Sequence, residues 1–467
     1  MPYVSTRGHA PTLGFRDAVL AGLARDGGLY LPDAWPSLAL EEWREIASLS
    51  YADAAKRILA PFVEGEIEAQ TFGAMVDEAY ATFAHEAVAP LVQTGTNEWI
   101  LELFHGPTLA FKDVAMQLLA RLMDHILGER GRHATIVGAT SGDTGGAAIE
   151  AFRGRENTDI FILFPEGKVS DVQRRQMTTV DDANVHALAV AGTFDDCQAL
   201  VKAMFNDLAF RDAMNLSGVN SINWGRIMAQ VVYFATAALS LGAPDRAVSF
   251  SVPTGNFGDI FAAYVARRMG LPVETLVIAT NENDILARTL ETGRSEAAGV
   301  RATSSPSMDI EVSSNFERLL FDAGGRDAEA VRRMMDSQKQ SGAFPLPTDT
   351  LTRMRETFRA GRADETDVAR TIRQVRTASG YLLDPHTAVG LHVARRFADP
   401  SVPMVTLATA HPAKFPDAVE SACGERPALP ARMGDLMERR ERSTTVANDI
   451  GALQELIRSR SSLQRAA

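Results

Sequence analysis

His133–Arg155 reads HATIVGATSGDTGGAAIEAFRGR. A short apolar run, Ala134 to Val137, stops at Gly138. A turn dense in glycine and hydroxyls follows, and from Thr144 the chain resumes with helical texture. An apolar run that ends on glycine and restarts as a helix is half of a βαβ unit. The pattern recurs on both sides. WILELFHG (99–106), DIFILFPEG (159–167), NVHALAVAG (184–192), RAVSFSVPTGNFGD (246–259) and PMVTLATAHPAKF (403–415) are further short apolar runs, each closed by Gly or a turn. Helical stretches such as VSDVQRRQMTTV (169–180) lie between them. Strands alternating with helices predict an α/β fold built on doubly wound parallel sheets. Ligands of such folds bind beyond the carboxyl ends of the strands, where the glycine-rich turns lie.

The flanks have another texture. Residues 1 to about 95 predict a helical N-terminal domain, from FRDAVLAGLARDGGLYLP (15–32), SYADAAKRILAPFV (50–63) and EAQTFGAMVDEAYATF (68–83). Residues about 280–380 read as a charged helical insertion, and 426–467 as a helical tail of helix, turn, helix and frayed end. The 467 residues are enough for two or three domains. The net charge of −12 argues against a nucleic-acid partner, which needs a basic surface. Two cysteines, Cys197 and Cys423, make neither a disulfide framework nor a zinc motif, and no metal site is expected. The start MPYVSTRGHAPTLGF lacks a basic stretch followed by an apolar one, so no signal peptide is expected there, and no window reaches the ~18 uninterrupted apolar residues of a membrane span. The expected setting is the cytoplasm, with no membrane partner.

Several segments carry chemistry. PTGNFGD (253–259) is a strand-to-helix turn of the kind that aims backbone N–H groups at an anion, although an ordinary tight turn explains it as well. GATSGDTGGAA (138–148) has the glycines and hydroxyls to wrap a carboxylate; Ser141, Asp143 or Thr144 would equally serve as a helix cap. NSINWGR (220–226) surrounds Arg226 with amides and a hydroxyl, a mixture suited to an oxyanion, although a surface arginine beside a helix cap explains the spacing equally well. In HGPTLAFKD (105–113), Lys112 stands at a helix entrance, where the dipole disfavours a cation. Anion sites plus an oddly placed lysine point to a phosphorylated aldehyde cofactor, which a lysine of lowered pKa can bind as a Schiff base.

These motifs resemble the threonine synthase family, among pyridoxal-phosphate enzymes of the tryptophan-synthase-β type. STRG (5–8), DGGLYLP (26–32), LFHGPTLAFKD (103–113), ATSGDTG (139–145), FPEGKVS (164–170), NSINWGRIMAQ (220–230), PTGNFGD, SPSMDIEVSSNFERLL (305–320), LDPHTAVG (383–390) and TAHPAKFP (409–416) follow in the family's order. The resemblance implies the fold type II arrangement, with a large cofactor domain of 96–110 and 216–425 and a small α/β domain of 111–215. It implies pyridoxal 5'-phosphate on Lys112, which then moves protons. The cofactor phosphate falls to Gly255, Asn256, Phe257 and Gly258, and the pyridine nitrogen to Thr409. Ser141, Asp143 and Thr144 are expected to clasp the substrate carboxylate, and Asn220, Ser221 and Arg226 the substrate phosphate. His105 is expected to do no more than support Lys112, and His386 and His411 have no assigned role. Gly146 and Gly225 depart from the family's pattern, both toward glycine.

The activity implied is conversion of O-phospho-L-homoserine and water to L-threonine and phosphate, by γ-elimination and β-addition. A phospholyase or dehydratase giving 2-oxobutyrate is the alternative on the same scaffold, and a non-catalytic pyridoxal-phosphate-binding relative is the alternative of another class. The expected partners are the small substrate and at most a second copy of the chain, as monomer or homodimer.

Overall fold

The computed structural model describes residues 1–464. Near the amino terminus β1 (Tyr3–Ser5) pairs antiparallel with β2 (Tyr30–Pro32). Next come the hairpin strands β3 (Leu91–Gly95) and β4 (Glu98–Glu102). Then follow β5 (Ala134–Ala139), β6 (Thr158–Pro165), β7 (Val185–Val190), β8 (Leu216–Ser217), β9 (Val248–Pro253) and β10 (Val273–Thr280). A minor antiparallel pair, β11 (Arg294–Glu296) and β12 (Ala343–Pro345), precedes β13 (Phe358–Arg362), β14 (Met404–Ala408) and β15 (Thr444–Val446). One sheet has the order β13-β10-β9-β14-β4-β3 and the other β15-β7-β6-β5-β8. All pairings in these two sheets are parallel except β3 with β4.

Every residue of β6, β9 and β14 is buried, which is why these segments are mostly apolar, with Ser249, Ser251 and Thr406 as small polar exceptions in β9 and β14. A parallel sheet covered by helices on both faces has no solvent side to alternate with. In the larger sheet β14 lies between β9 and β4, and Thr406 pairs with Ser251. The turn after β9 and Thr409 after β14 therefore emerge side by side.

The N-terminal region is mostly helical, with helices Phe15–Ala21, Leu40–Ile46, Tyr51–Val63 and Ala69–Tyr80. It also holds β1, β2 and β3, and it has no core of its own: Trp43, Phe62 and Trp224 belong to one cluster that extends through both sheets. The Trp224 ring lies 5.7 Å from Phe62 and 6.0 Å from Tyr3.

Two expectations need correction. The 280–380 segment is not purely a helical insertion, because Phe358–Arg362 returns as the edge strand β13 beside β10. The 426–467 segment is not a separate helical tail. Residues 434–443 form no helix, and β15 adds to the edge of the smaller sheet beside β7. The helix Ile450–Arg460 then packs Leu453 and Ile457 against Cys197, Met204 and Phe210. In both cases a short segment, FRAGR in β13 and the β-branched TTV in β15, finds an open sheet edge far away in sequence, and local helical texture carries no sign of that edge. The predicted frayed end falls on residues 465–467, outside the described residues.

Candidate active site

A cavity of about 1100 Å³ opens between the carboxyl ends of the two sheets. Lys112, Ser141, Asp143, Thr144, Asn220, Ser221, Arg226, Gly255, Asn256, Phe257, Gly258 and Thr409 all line it. Residues 100 to 300 positions apart in sequence thus meet in one space.

Lys112 reaches the cavity because its segment is strapped to β14. Phe111 N donates to Thr409 O at 2.9 Å, His411 N to Leu109 O at 3.0 Å, and Ala110 bridges Ala410. Asp113 in the next position accepts from the Thr108 amide and hydroxyl, both at 2.7 Å, which closes the turn. A Cβ on Gly106 would lie 2.5 Å from that of Asp113, so only glycine permits the closure. Lys112 is buried, its Nζ 4.7 Å from the Phe111 ring centre and 3.5 Å from Asp143 Oδ2. Burial pushes its amine below lysine's ordinary range; Asp143 opposes the shift, and Lys414 and Arg226 add to it. A lysine that sheds its proton more readily is a nucleophile and a base.

The 253–259 turn is braced from behind. Ser313 Oγ donates to Gly255 O at 2.8 Å, and Asn315 donates to Asn256 O through N and Nδ2, both at 3.0 Å. Two carbonyls are thereby held by this neighbour. Among the described residues, no bond takes up the N–H groups of Gly255, Asn256, Phe257 or Gly258. A Cβ on Gly255 would meet Ser307 O at 2.7 Å. Phe257 takes the left-handed φ of 64° and caps the helix Gly258–Arg268, with its ring buried 5.3 Å from Phe316. Left-handed backbone costs a non-glycine residue ~1–2 kcal/mol, which burial of a phenylalanine offsets. Asp259 then accepts from the Tyr233 hydroxyl through Oδ1, while Oδ2 is buried without a partner. Burial lifts this carboxyl to about 7, against the lowering effect of the Tyr233 bond and of Lys112.

The 138–146 turn is braced from within. Thr140 Oγ1 accepts from Gly142 N at 2.9 Å and Gly145 N at 3.0 Å. The cap of the helix Asp143–Phe152 is thus made by Thr140, and not by Ser141, Asp143 or Thr144. Ser141 is exposed and Thr144 half-buried at the cavity wall. Asp143 corrects the sequence reading further. Its Oδ1 accepts from Gln173 Nε2 and Lys414 Nζ, both at 2.8 Å, and Oδ2 faces Lys112. Burial alone would raise its pKa, but Lys414 and Lys112 hold it well below the carboxylate range. An ionised carboxylate with both oxygens on lysines does not receive a second carboxylate, so Asp143 is a counter-ion.

Arg226 is 3% exposed. Its Nη1 donates to Val219 O at 3.3 Å and its Nε has no partner. Burial lowers its pKa to about 10. Arg318 offers a contrast: also buried, it spends Nε and Nη2 on Tyr30 O and Ile222 O and knits the N-terminal region to the site. Asn223 caps the Arg226 helix through Gly225 N at 2.9 Å and donates to Val19 O at 2.8 Å. A Cβ on Gly225 would come 3.0 Å from Leu119 Cδ1, so glycine there admits the Lys112 helix closely. Asn220 is exposed and accepts from the Ser221 amide at 2.6 Å.

His105 bonds Glu102 at 2.7 Å and is not on the cavity wall. His386 is on it. Its Nδ1 is 2.9 Å from Asp384, and its Nε2 accepts from Ser307 N at 3.3 Å, fixing the segment that closes on Gly255. Sequence reasoning missed His386 as a neighbour of the turn, and it missed Lys414 and Gln173. For Lys414 the signal was its place three residues after His411, in a motif that also carries Thr409.

Comparison with known proteins places these features in a lineage. Residues 2–80 match the family described as threonine synthase N terminus, 83–407 the pyridoxal-phosphate dependent enzymes, and 387–457 threonine synthase, C-terminal. The chain is 54% identical to threonine synthase of Pseudomonas aeruginosa, over 98% of each chain. It is similar to the crystal structure of threonine synthase from Brucella melitensis with pyridoxal phosphate bound: 65% identity, TM-score 0.98, covering 99% of this chain and 100% of that one. Against the yeast threonine synthase structure the identity is 39% and the TM-score 0.94, with 98% of both chains covered.

Proposed function

Since the chain belongs to the threonine synthase family of pyridoxal-phosphate-dependent lyases, we propose that it takes O-phospho-L-homoserine and water to L-threonine and phosphate, with Lys112 as the reactive lysine. The observation that carries this reading is the pairing of two phosphate-suited groups in one cavity. The four free N–H groups of 255–258 stand on one wall and Arg226, with its unpartnered Nε, on another; Lys112 faces the same space.

The residues fit the cofactor. The Gly255–Gly258 turn, with its carbonyls tied back and its N–H groups unclaimed, would hold the phosphate at a helix N-terminus. Thr409, level with that turn, would meet the ring nitrogen through its hydroxyl. Lys112 would hold the aldehyde carbon. Pyridoxal phosphate, when bound, supplies the electron sink that acidifies protons next to an amino-acid Cα.

The chain's own groups do the rest. Lys112, with its lowered affinity for a proton, takes and returns protons at Cα and Cβ of the substrate. Asp143 stays ionised and orients the Lys112 nitrogen through Oδ2. Ser141 and Thr144 donate to the substrate carboxylate. Arg226, assisted by Asn220 and Ser221, receives the substrate phosphate and holds it as it leaves Cγ. We take the active species to be a monomer or homodimer.

The test is product analysis with O-phospho-L-homoserine, together with borohydride reduction and peptide mapping of the bound cofactor. Phosphate matched by threonine, cofactor on the Lys112 peptide, and a fall of ~10²–10⁴-fold or more in Lys112→Ala support the reading. Phosphate matched by 2-oxobutyrate would move the chain to the phospholyase alternative, and no phosphate would remove the substrate assignment.

A further inference from the structure

Lys414 is an ammonium with no contact to water. It is 0% exposed and sits at the end of the short turn Pro412–Lys414 that follows β14. Its nitrogen has three acceptors: Thr108 O at 2.7 Å, Asp143 Oδ1 at 2.8 Å and Gln176 Oε1 at 3.0 Å. That is one acceptor for each N–H of an ammonium. Lys112 shares the same carboxylate but has only the longer 3.5 Å approach to Oδ2. Two lysines therefore compete for Asp143, and geometry favours the one that is not in reach of a substrate. Asp143 is further pinned by Gln173, so its orientation does not depend on Lys112.

We propose that Lys414 is a positioning residue for the reaction: it holds Asp143 in place and neutralises it, so that Lys112 keeps an oriented neighbour without being locked into an ion pair. The inference rests on Lys112 being the reactive lysine. Its logic is that of two cations and one anion in a dry site. The positive charge of Lys414 makes a second positive charge on Lys112 costly, while the contact of Oδ2 still directs the Lys112 nitrogen. Lys414 also joins three parts of the fold: Thr108 on the strap, Asp143 and Gln176 on neighbouring helices of the smaller-sheet side, and β14 of the larger sheet. A single side chain thereby ties the proton state of Lys112 to the fit between the two sheets.

The charged groups around this pair are few. Lys112 faces Asp143, Lys414, Arg226 and Asp259; Lys414 faces Asp143 and Asp113, the latter engaged with Thr108. Removing the Lys414 charge removes one of the causes that depress Lys112 and frees Asp143 to pair with it. Both changes raise the pH at which Lys112 becomes a neutral base.

The experiment is the pH profile of kcat for the loaded enzyme, which reports the substrate complex in which the Lys112 amine is free of the cofactor, with pH-dependent labelling of Lys112 in the cofactor-free full chain by an amine-reactive reagent. Lys414→Met should move the acidic limb of the profile, and the midpoint of Lys112 labelling, upward by about one pH unit or more. Activity at pH 7 then falls ~10-fold for each unit and recovers as the pH is raised. Lys414→Arg should keep the native midpoint. If Lys414→Met does not fold, Lys414→Gln keeps polar donors in the pocket while removing the charge, and should give the same shift. A uniform loss at all pH values with an unmoved limb and unmoved labelling would overturn the proposal and leave Lys414 a packing residue. Borohydride reduction distinguishes this from failure of the functional reading: cofactor on a peptide without Lys112 defeats that reading, whereas cofactor on Lys112 with unmoved midpoints defeats only the role of Lys414.

Discussion

Two turns of this molecule share a local grammar: apolar strand, glycines, then an aspartate in the first turn of a helix. In one, Asp143 is ionised between Lys414 and Lys112. In the other, Asp259 has a tyrosine hydroxyl on one oxygen, nothing on the other, and a pKa lifted to about 7. Both carboxyls are buried and both lie at a positive helix end. The difference comes from what distant segments bring. β14 delivers an ammonium to the first turn, and the Arg226 helix delivers Tyr233 to the second. The 138–146 turn is thus a counter-ion site that steadies a lysine, and the 253–259 turn is a cradle with no counter-cation on its carboxyl, whose 255–258 N–H groups no described residue takes up.

That contrast can be broken most severely at Asp143. Asp143→Asn leaves Lys414 buried without its partner, a change on the order of 3–5 kcal/mol. Its sign follows from a folded pKa below the unfolded value of about 3.9: the contribution is complete above that pH and is lost only as acid titrates the folded carboxyl. Urea unfolding should therefore show the full deficit of the variant from pH 8 down to about pH 4, narrowing below. A deficit absent at pH 8 would mean that the ion pair does not stabilise the fold.

Asp259→Asn should act in the opposite direction. A folded pKa of about 7 means that the ionised group opposes folding, not at all below its unfolded pKa and fully above pH 7. The variant, which keeps an oxygen for Tyr233, should exceed the native chain at pH 8 by roughly 2–4 kcal/mol and match it near pH 4. Equal Tm at pH 8 would show that Asp259 is as well solvated as Asp143 is paired.

Gly255→Ala probes the cradle itself. Its Cβ would stand 2.7 Å from a backbone carbonyl that is in turn held by the 305–309 turn. Affinity for pyridoxal phosphate, read by fluorescence titration, should fall roughly 10- to 100-fold, the scale of an overpacked site costing ~1–3 kcal/mol. The smallest effect is expected at Gly146. A Cβ there meets Gln176 at an ordinary 3.5 Å within a helix, so Gly146→Ala should stabilise by ~0.5–1 kcal/mol and leave the counter-ion arrangement intact. A fall in Tm would point to a need for backbone freedom in that turn.

The residues that chemistry demands were legible from local pattern. Lys112 stood out because a cation at a helix entrance needs a reason, and the two turns stood out because glycines after an apolar run expose N–H groups. Strands β9 and β14 of the larger sheet were legible as uncharged, mostly apolar runs, which burial on both faces favours. Strands β13 and β15 were not, because each is short and forms only at an edge supplied by a remote segment.

By itself, then, the sequence determined the α/β alternation, the glycine-rich turns, the lysine at a helix entrance and the family to which these motifs belong, since each depends on residues near one another in the chain. The tertiary structure alone decided the charge states. Whether an aspartate is an anion or holds a proton, whether a buried arginine is satisfied like Arg318 or open like Arg226, and which of two lysines owns a carboxylate depend on groups brought in from other elements, from Tyr233, 26 residues from Asp259, to Tyr30, 288 residues from Arg318. Electrostatic energy in a dry site is set by distances of 3 to 4 Å, and those distances exist only after the sheets have closed on one another.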